Sequence, residues 1–243
     1  MIYLLLPAFN EAEGIEVLVR NISFQLSNQQ HSIIIVNDGS FDNTPDILKK
    51  LQPELNLNII NHEKNLGLGK AMQTGINYVS SVINKNDILI TMDADNTHPV
   101  DLMQKLEEKI NNGYDIAIAS RYASGGKEVG LKKYRKILSG GAGIILKLFF
   151  PINNVSDYTS GYRAYSGNII KKAKDFYGQK LVTVSGFTCM AEILIKLSKI
   201  NASISEVGLV LRYDLKRGKS KIKILKTILA YFHLILRLKF EKG

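Results

Sequence analysis

Five short apolar runs recur through the first 120 residues, separated by stretches of helix length. They are Ile2–Leu6, Ser32–Val36, Leu57–Ile60, Ile88–Met92 and Ile116–Ala119. They lack the in–out alternation of a half-exposed strand and favour branched aliphatics, as strands buried on both faces do. Between them the spacing predicts helices over Glu13–Leu26, Thr44–Leu51, Leu68–Ile83 and from Pro99 to about Ile110. Thr44 suits a helix cap and Pro99 a first helical turn. This alternation specifies an α/β fold with a mostly parallel, doubly wound sheet. Such sheets bind ligands at the carboxyl ends of their strands. The polar clusters Asn10-Glu11, Asn37-Asp38-Gly39-Ser40 and Asp93-Ala94-Asp95 fall there.

After Tyr122 the pattern changes. Gly125-Gly126 and a basic run (Lys132, Lys133, Arg135, Lys136) lead into an apolar helix, and Asn153–Tyr165 reads as a polar loop. Phe187–Ile200 reads as a helix, Ile204–Tyr213 as a strand, and Asp214–Lys223 is crowded with Lys and Arg around Gly218. Residues 1–120 carry 8 Lys+Arg against 15 Asp+Glu, whereas 121–243 carry 24 against 7. The net charge of +10 therefore resides in the second half, which implies an anionic partner there. Nucleic acid is disfavoured, because Trp is absent and Arg does not interleave with aromatics. One cysteine, Cys189, excludes a disulfide framework and reads as a buried small hydrophobe.

The start, MIYLLLPAFNEAEG, does not read as a signal peptide, and no stretch offers the roughly 18 apolar residues of a spanning helix. Ile222–Phe240 comes nearest. Lys223, Lys226, Thr227, His233 and Arg237 fall on one stripe of a helix that is otherwise apolar except at Lys239, a pattern suited to a membrane interface. Packing on its own domain with a solvated basic edge is the other reading of that helix.

Asp93 and Asp95 end the run ILITM one residue apart, so a single loop holds both carboxylates. Mg²⁺ and Mn²⁺ prefer oxygen ligands and commonly take one or two carboxylates together with phosphate oxygens. The pair therefore suggests a divalent metal held against a nucleotide diphosphate. His98 stands close enough in sequence to approach that metal. Asp38 and Glu11 could serve the same pocket, or form an Asx turn and cap a helix.

In order along the chain, the sequence holds Pro7-Ala8-Phe9-Asn10-Glu11, Val36-Asn37-Asp38-Gly39-Ser40, Asn65-Leu66-Gly67-Leu68-Gly69 and Asp93-Ala94-Asp95-Asn96-Thr97-His98-Pro99. Ser120-Arg121-Tyr122, Arg135 with Ser139, Ser156–Tyr162 and Gly218-Lys219-Ser220-Lys221 follow. The set resembles the family 2 inverting glycosyltransferases of GT-A fold, and within them the dolichyl-phosphate (polyprenyl-phosphate) mannosyltransferase type. The resemblance implies that Pro7, Phe9, Glu11, Val36 and Asp38 hold the nucleotide. Asp93, Ala94, Asp95 and Thr97 would surround the Mg²⁺ or Mn²⁺ and the diphosphate. Arg121, Arg135 and Ser139 would hold the acceptor phosphate, with Asp93, Asp95 and Arg121 carrying catalysis. Lys221 would close over the donor. Phe9, Asn37 and Thr97 depart from the family's common Tyr, Asp and Gln or Ser, and its loop arginine falls on Leu215, so Arg217 or Arg212 would substitute.

The implied organisation is a catalytic domain over 1–221, with a nucleotide-sugar half (1–120) and an acceptor half (121–221), followed by an amphipathic interfacial helix over 222–243. The implied reaction moves a hexose from a nucleotide-diphospho-sugar, of GDP-mannose or UDP-glucose type, to polyprenyl or dolichyl phosphate with inversion. A phosphate monoester is already ionised at pH 7, so no general base is expected. The partners would be that donor, that acceptor, a membrane surface on its cytoplasmic face and a small membrane-anchoring protein. A transferase acting on a saccharide would need a base, for which Asp157 or Glu192 could be recruited. A non-catalytic nucleotide-binding membrane module is the alternative from another class.

Overall fold

The computed structural model describes residues 1–130, 133–215 and 224–240, and their side chains outside 133–139, 215 and 224–226. Along the chain run β1 (Ile2–Ala8), α1 (Ile15–Gln25), β2 (His31–Asn37), α2 (Thr44–Leu51), β3 (Leu57–Asn61), α3 (Leu68–Val82), β4 (Ile88–Thr91), α4 (Leu102–Asn111) and β5 (Ile116–Ser120). Then follow β6 (Lys127–Val129), α5 (Lys133–Phe149), β7 (Arg163–Ser166), α6 (Gly167–Tyr177), α7 (Cys189–Lys199), β8 (Ile204–Gly208), β9 (Val210–Arg212) and α8 (Ile224–Phe240).

Seven strands form one sheet in the order β3-β2-β1-β4-β7-β5-β8. All neighbours are parallel except β7, which runs antiparallel to both β4 and β5. The continuous apolar runs are explained by cover on both faces. From β1 and β2, Leu4, Leu6, Ile33 and Ile35 pack with Leu18, Ile22, Leu48, Leu51 and Leu106 of α1, α2 and α4. Their alternates Tyr3, Leu5, Ile34 and Val36 pack with Met72, Ile76 and Val79 of α3 and with α6 and α7 residues on the opposite face. Each such fully buried aliphatic side chain contributes roughly 1.5–3 kcal/mol.

Two features differ from the sequence reading. The polar loop expected over Asn153–Tyr165 ends by entering β7, a four-residue strand in the middle of the sheet. RAYS is too short and too polar to signal itself, and Arg163 within it is fully buried. Helix α6 follows at once, with the Ser166 side chain accepting from the Ile169 amide at 3.1 Å. The strand expected over Ile204–Tyr213 breaks at Leu209, whose amide donates to Ser120 O. β8 thus stays in the main sheet, while β9 pairs in parallel with β6 in a separate ribbon.

Helix α8 packs on the same domain. Leu234, Ile235 and Leu238 are buried in the core layer that also holds α3, α6 and α7. Its other side carries Leu229, Phe232, Leu236 and Phe240, all exposed. The packing reading of the C-terminal helix therefore holds for one face, and the other face is exposed and apolar. Among the described residues no helix is long and apolar enough to cross a membrane.

Candidate active site

The carboxyl ends of β1 and β2 are side by side, with Pro7 paired to Val36 and Ala8 to Asn37. The loops that leave them are tied together. Asn10, in a left-handed conformation (φ 51°), donates its amide N–H to Ser40 Oγ at 2.9 Å, and its Oδ1 accepts from the Phe41 amide at 3.0 Å. Thr44 does not cap α2 with its side chain. Its Oγ1 accepts from the Glu11 amide at 2.9 Å, and Asp42 accepts from the amides of Thr44 and Ala12 instead. Phe9 meets Phe41 edge to face at 5.8 Å. The residues expected on the nucleotide, Pro7, Phe9, Glu11, Val36 and Asp38, are thus brought to adjoining strand ends.

Asp38 is buried and held from several sides. Its Oδ1 lies 2.7 Å from His62 Nδ1 and accepts from the Leu66 amide at 2.9 Å, and its Oδ2 accepts from the Gly67 amide at 2.8 Å. It orders the Asn65–Gly69 loop that opens α3. Within the chain itself these bonds give it a positioning role. His62, which sequence reading passed over, completes this arrangement through Thr74 Oγ1 at 3.0 Å.

The Asp93–Asp95 loop follows β4, next to β7. Asn96 takes the left-handed turn (φ 62°), and Thr97 folds back so that its amide and Oγ1 both donate to Asp95 Oδ1, at 3.2 and 2.6 Å. Thr97 therefore orients the carboxylate. Thr91 pairs with Arg163 across the antiparallel ladder, and Thr91 Oγ1 donates to Gly161 O at 2.7 Å. This brings the Ser156–Tyr162 loop to the acids: a Cβ at Gly161 would stand 3.3 Å from Asp93 Oδ1. A side chain at that position would crowd the carboxylate.

Two carboxylates in a hard-oxygen loop, with only a glycine packed beside one of them, fit Mg²⁺ or Mn²⁺. Among the described residues no three His, Cys, Asp or Glu side chains converge on one ion. The chain would supply Asp93 and Asp95, and a diphosphate the remaining oxygens. His98 does not complete a ligand trio with them. It is buried against the Tyr162 ring at 5.1 Å, with Nδ1 unpartnered.

Arg121, just past β5, is buried in an ion-pair cluster. Nε and Nη2 donate to the two Asp157 oxygens, both at 2.7 Å, Nη2 also reaches Thr159 Oγ1 at 2.6 Å, and Nη1 reaches Glu128 at 3.1 Å. Burial pushes the Asp157 carboxyl up, but the hydrogen bonds and charge of Arg121 outweigh it and hold the group below its usual range. Arg121 is an anchor for the 157–160 loop. Its fork, expected on the acceptor phosphate, is engaged by the chain's own carboxylates. Glu206 steadies the same loop by accepting from the amides of Ser156 and Asp157, both at 2.8 Å. Neither Glu128 nor Glu206 carries a local motif that would single it out.

Glu192, the other carboxylate considered as a base, is fully buried on α7. It accepts from Lys196 Nζ at 2.9 Å, Arg237 Nη2 at 2.6 Å and Thr183 Oγ1 at 2.5 Å. Burial raises its proton affinity, but the hydrogen bonds from Thr183 and Lys196 more than reverse this. Both nominated bases are thus ionised and committed to cations. Arg237, expected on a membrane-facing basic stripe, turns inward to this pair. Cys189 is fully buried, as expected, and its thiol is pushed up by that burial.

Of the remaining expected residues, Ala94 is buried in the acidic loop and Arg212 pairs with Asp214 at the surface. Arg135 and Ser139 lie on α5 at positions whose side chains are outside the described set, and Arg217, Lys221 and Lys223 lie outside the described residues. The described flanks of the two basic segments do meet. β6 pairs with β9, the Gly130 backbone lies against that of Asp214, and the Arg212 amide donates to Thr97 O at 3.1 Å.

The sequence and the fold can be placed among known proteins. The chain is 34% identical, over 98% of its length, to the dolichol-phosphate mannosyltransferase of Pyrococcus furiosus, and it spans 64% of that relative. It is 31% identical to the UDP-N-acetylglucosamine–dolichyl-phosphate N-acetylglucosaminyltransferase of Methanococcus voltae, covering 100% of this chain and 97% of that one. Glucosyl-3-phosphoglycerate synthase from Mycobacterium tuberculosis, solved with Mn²⁺, UDP and phosphoglyceric acid, shares the fold. The TM-score is 0.67 at 18% identity, over 97% of this chain and 76% of that one. The Glycosyl transferase family 2 model matches residues 3–174, most of the chain and every strand end that carries the candidate site up to β7. With a full-length relative above 30% identity beside that match, the chain belongs to glycosyl transferase family 2.

Proposed function

We propose that this glycosyltransferase moves a hexose unit from a nucleotide-diphospho-sugar to a polyprenyl or dolichyl phosphate, with inversion, at a membrane surface. The observation that carries the reading is the state of the two carboxylates considered as bases. Asp157 and Glu192 are buried and ion-paired, so neither is poised to deprotonate a sugar hydroxyl. A phosphate acceptor needs no such help, being ionised at pH 7. The names of the Pyrococcus and Methanococcus relatives, both transferases to dolichyl phosphate, support the same class of acceptor.

In this reading Pro7, Phe9, Glu11 and Val36 line the nucleotide pocket, and Asp38 shapes it through the Asn65–Gly69 loop. Asp93 and Asp95, oriented by Thr97, hold the divalent ion with the diphosphate. Bound there, Mg²⁺ or Mn²⁺ would neutralise charge on the departing nucleoside diphosphate. The Arg121–Asp157 pair fixes the loop that faces Asp93. Arg135 and Ser139 meet the acceptor phosphate, and Arg217 and Lys221 close over the donor. The work left to the protein is alignment and charge stabilisation.

The lipid end of such an acceptor needs an apolar landing surface. α5 and α8 adjoin, with Lys239 Nζ over the Phe149 ring at 5.6 Å. Together they expose Ile144 (72%), Leu148 (77%), Leu229 (70%) and Phe240 (75%), along with Phe232 and Leu236. This face, with Lys147 and Lys239, suits shallow insertion into an anionic surface. We place it on the cytoplasmic leaflet, where nucleotide sugars are made; a small anchoring protein could share it. Leu236→Glu with Phe240→Glu removes two apolar contacts of roughly 1.5–3 kcal/mol each, so liposome binding should fall at least about a hundredfold while nucleotide binding persists. Undiminished liposome binding by that double variant would place the contact elsewhere. Truncation before α8 is a poorer test, since it would also uncover Leu234, Ile235 and Leu238.

The function itself is tested by a screen of GDP-mannose, UDP-glucose and UDP-N-acetylglucosamine with polyprenyl phosphate and Mn²⁺, against the same donors with oligosaccharide acceptors. Transfer to polyprenyl phosphate is expected. Transfer to oligosaccharide alone would overturn the reading.

A further inference from the structure

Glu192 sits where three parts of the molecule meet. From α8, Arg237 Nη2 donates to its Oε1 at 2.6 Å; within α7, Lys196 Nζ donates to the same oxygen at 2.9 Å and to Lys180 O at 2.6 Å. On the other side, Oε2 accepts the amides of Thr183 and Val184 at 2.9 and 3.1 Å. The carboxylate therefore ends in the backbone of the 183–185 segment. That segment presses directly on the nucleotide-side loop. The Gly69 amide donates to Ser185 O at 2.8 Å, a Cβ on Gly69 would overlap Val184 O, and one on Gly67 would overlap Ser185 O. Gly67 and Leu66 are in turn the amides that Asp38 holds.

Backbone contact without an intervening side chain leaves little slack, and packed interiors shift between discrete arrangements rather than yielding gradually. Lys196 and Arg237 together offset the buried Glu192. Losing Arg237 leaves the carboxylate with Lys196 as its one cation, under-compensated, and leaning harder on its other donors, Thr183 and the 183 and 184 amides. The segment would be drawn toward α7, away from Gly69. We infer that Arg237 and Glu192 are positioning residues for the donor: they hold the 183–185 segment against Gly67 and Gly69, so that a residue on the outermost helix sets affinity for the nucleotide. This rests on the proposal that the Asp38–Gly69 region receives the donor nucleotide.

The test uses the full chain with Mn²⁺ and measures binding of GDP and UDP by calorimetry, in wild type, Arg237→Ala and Arg237→Lys. Remote positioning residues change coupling by about 0.5–2 kcal/mol, so Arg237→Ala should weaken nucleotide binding by about two- to thirtyfold. Arg237→Lys keeps a cation within reach of Glu192 and should recover most of that loss. Donor KM should rise in Arg237→Ala with polyprenyl-phosphate KM unchanged, and amide exchange at 66–69 and 183–185 should accelerate together. If Arg237→Ala does not fold, Arg237→Gln takes its place in the same comparison. Unchanged nucleotide affinity in a folded variant, or a change confined to acceptor KM, would overturn the inference and leave the donor-site reading standing. Wild type that binds neither GDP nor UDP would overturn both.

Discussion

Asp95→Asn is expected to lower turnover by about three orders of magnitude while leaving the fold intact, because it removes a charge that a divalent ion and a leaving diphosphate both depend on. The hydrogen bonds around it favour a clean outcome. Thr97 donates twice to Asp95 Oδ1, and an asparagine Oδ1 accepts the same two bonds. The loop should therefore keep its shape and lose only its charge. The check pairs Mn²⁺-dependent turnover with thermal unfolding of the same variant. Asp93→Asn should behave alike, since it removes the same kind of charge from the same loop. Near-normal turnover in Asp95→Asn, or in wild type with excess chelator, would remove the acids from the mechanism.

Asp157→Ala is expected to cost about 3–5 kcal/mol of stability, as removing one partner from a buried ion pair does. Arg121 would keep Glu128 and Thr159 but lose both of its 2.7 Å contacts with Asp157. The 157–160 loop would lose its own centre, because Asp157 also accepts the Arg121, Thr159 and Ser160 amides. Urea unfolding measures the cost, and a loss below about 1 kcal/mol would show the pair to be energetically idle. The pH dependence has a definite sign. The folded Asp157 carboxyl lies below its unfolded value, near 3.9, so its contribution is complete above that value. It is lost as pH falls through the lower folded value. The stability gap between wild type and Asp157→Ala should accordingly close in acid.

The site divides into a part legible from local pattern and a part that is not. The runs IYLLL, SIIIV and ILITM announce buried parallel strands, because only doubly covered strands tolerate continuous aliphatics. Their carboxyl ends then follow from topology alone, so Asp38, Asp93 and Asp95 could be placed on one edge without coordinates. Their individual tasks could not. Whether Asp38 faces a ligand or a backbone depends on His62 and on the Leu66 and Gly67 amides, 24 to 29 residues away. Beyond near partners such as Glu128 and Lys196, Arg121 and Glu192 also pair with 157, 159 and 237, which lie farther off still, so charge and spacing near each residue were silent about those.

The amino-acid pattern by itself determined the α/β class, the strand edge that carries the acids, and the two-faced apolarity of the last helix. Periodicity and the locations of polar clusters are local properties, and those features are written in them. Tertiary structure alone decided that RAYS enters the sheet between β4 and β5, which brings Gly161 to Asp93. It likewise decided that Arg237 turns inward to Glu192 rather than outward to a membrane. Both outcomes depend on pairing across long sequence separations, where a short strand gains its stability from the neighbours on either side and a charge from the partner it is buried with.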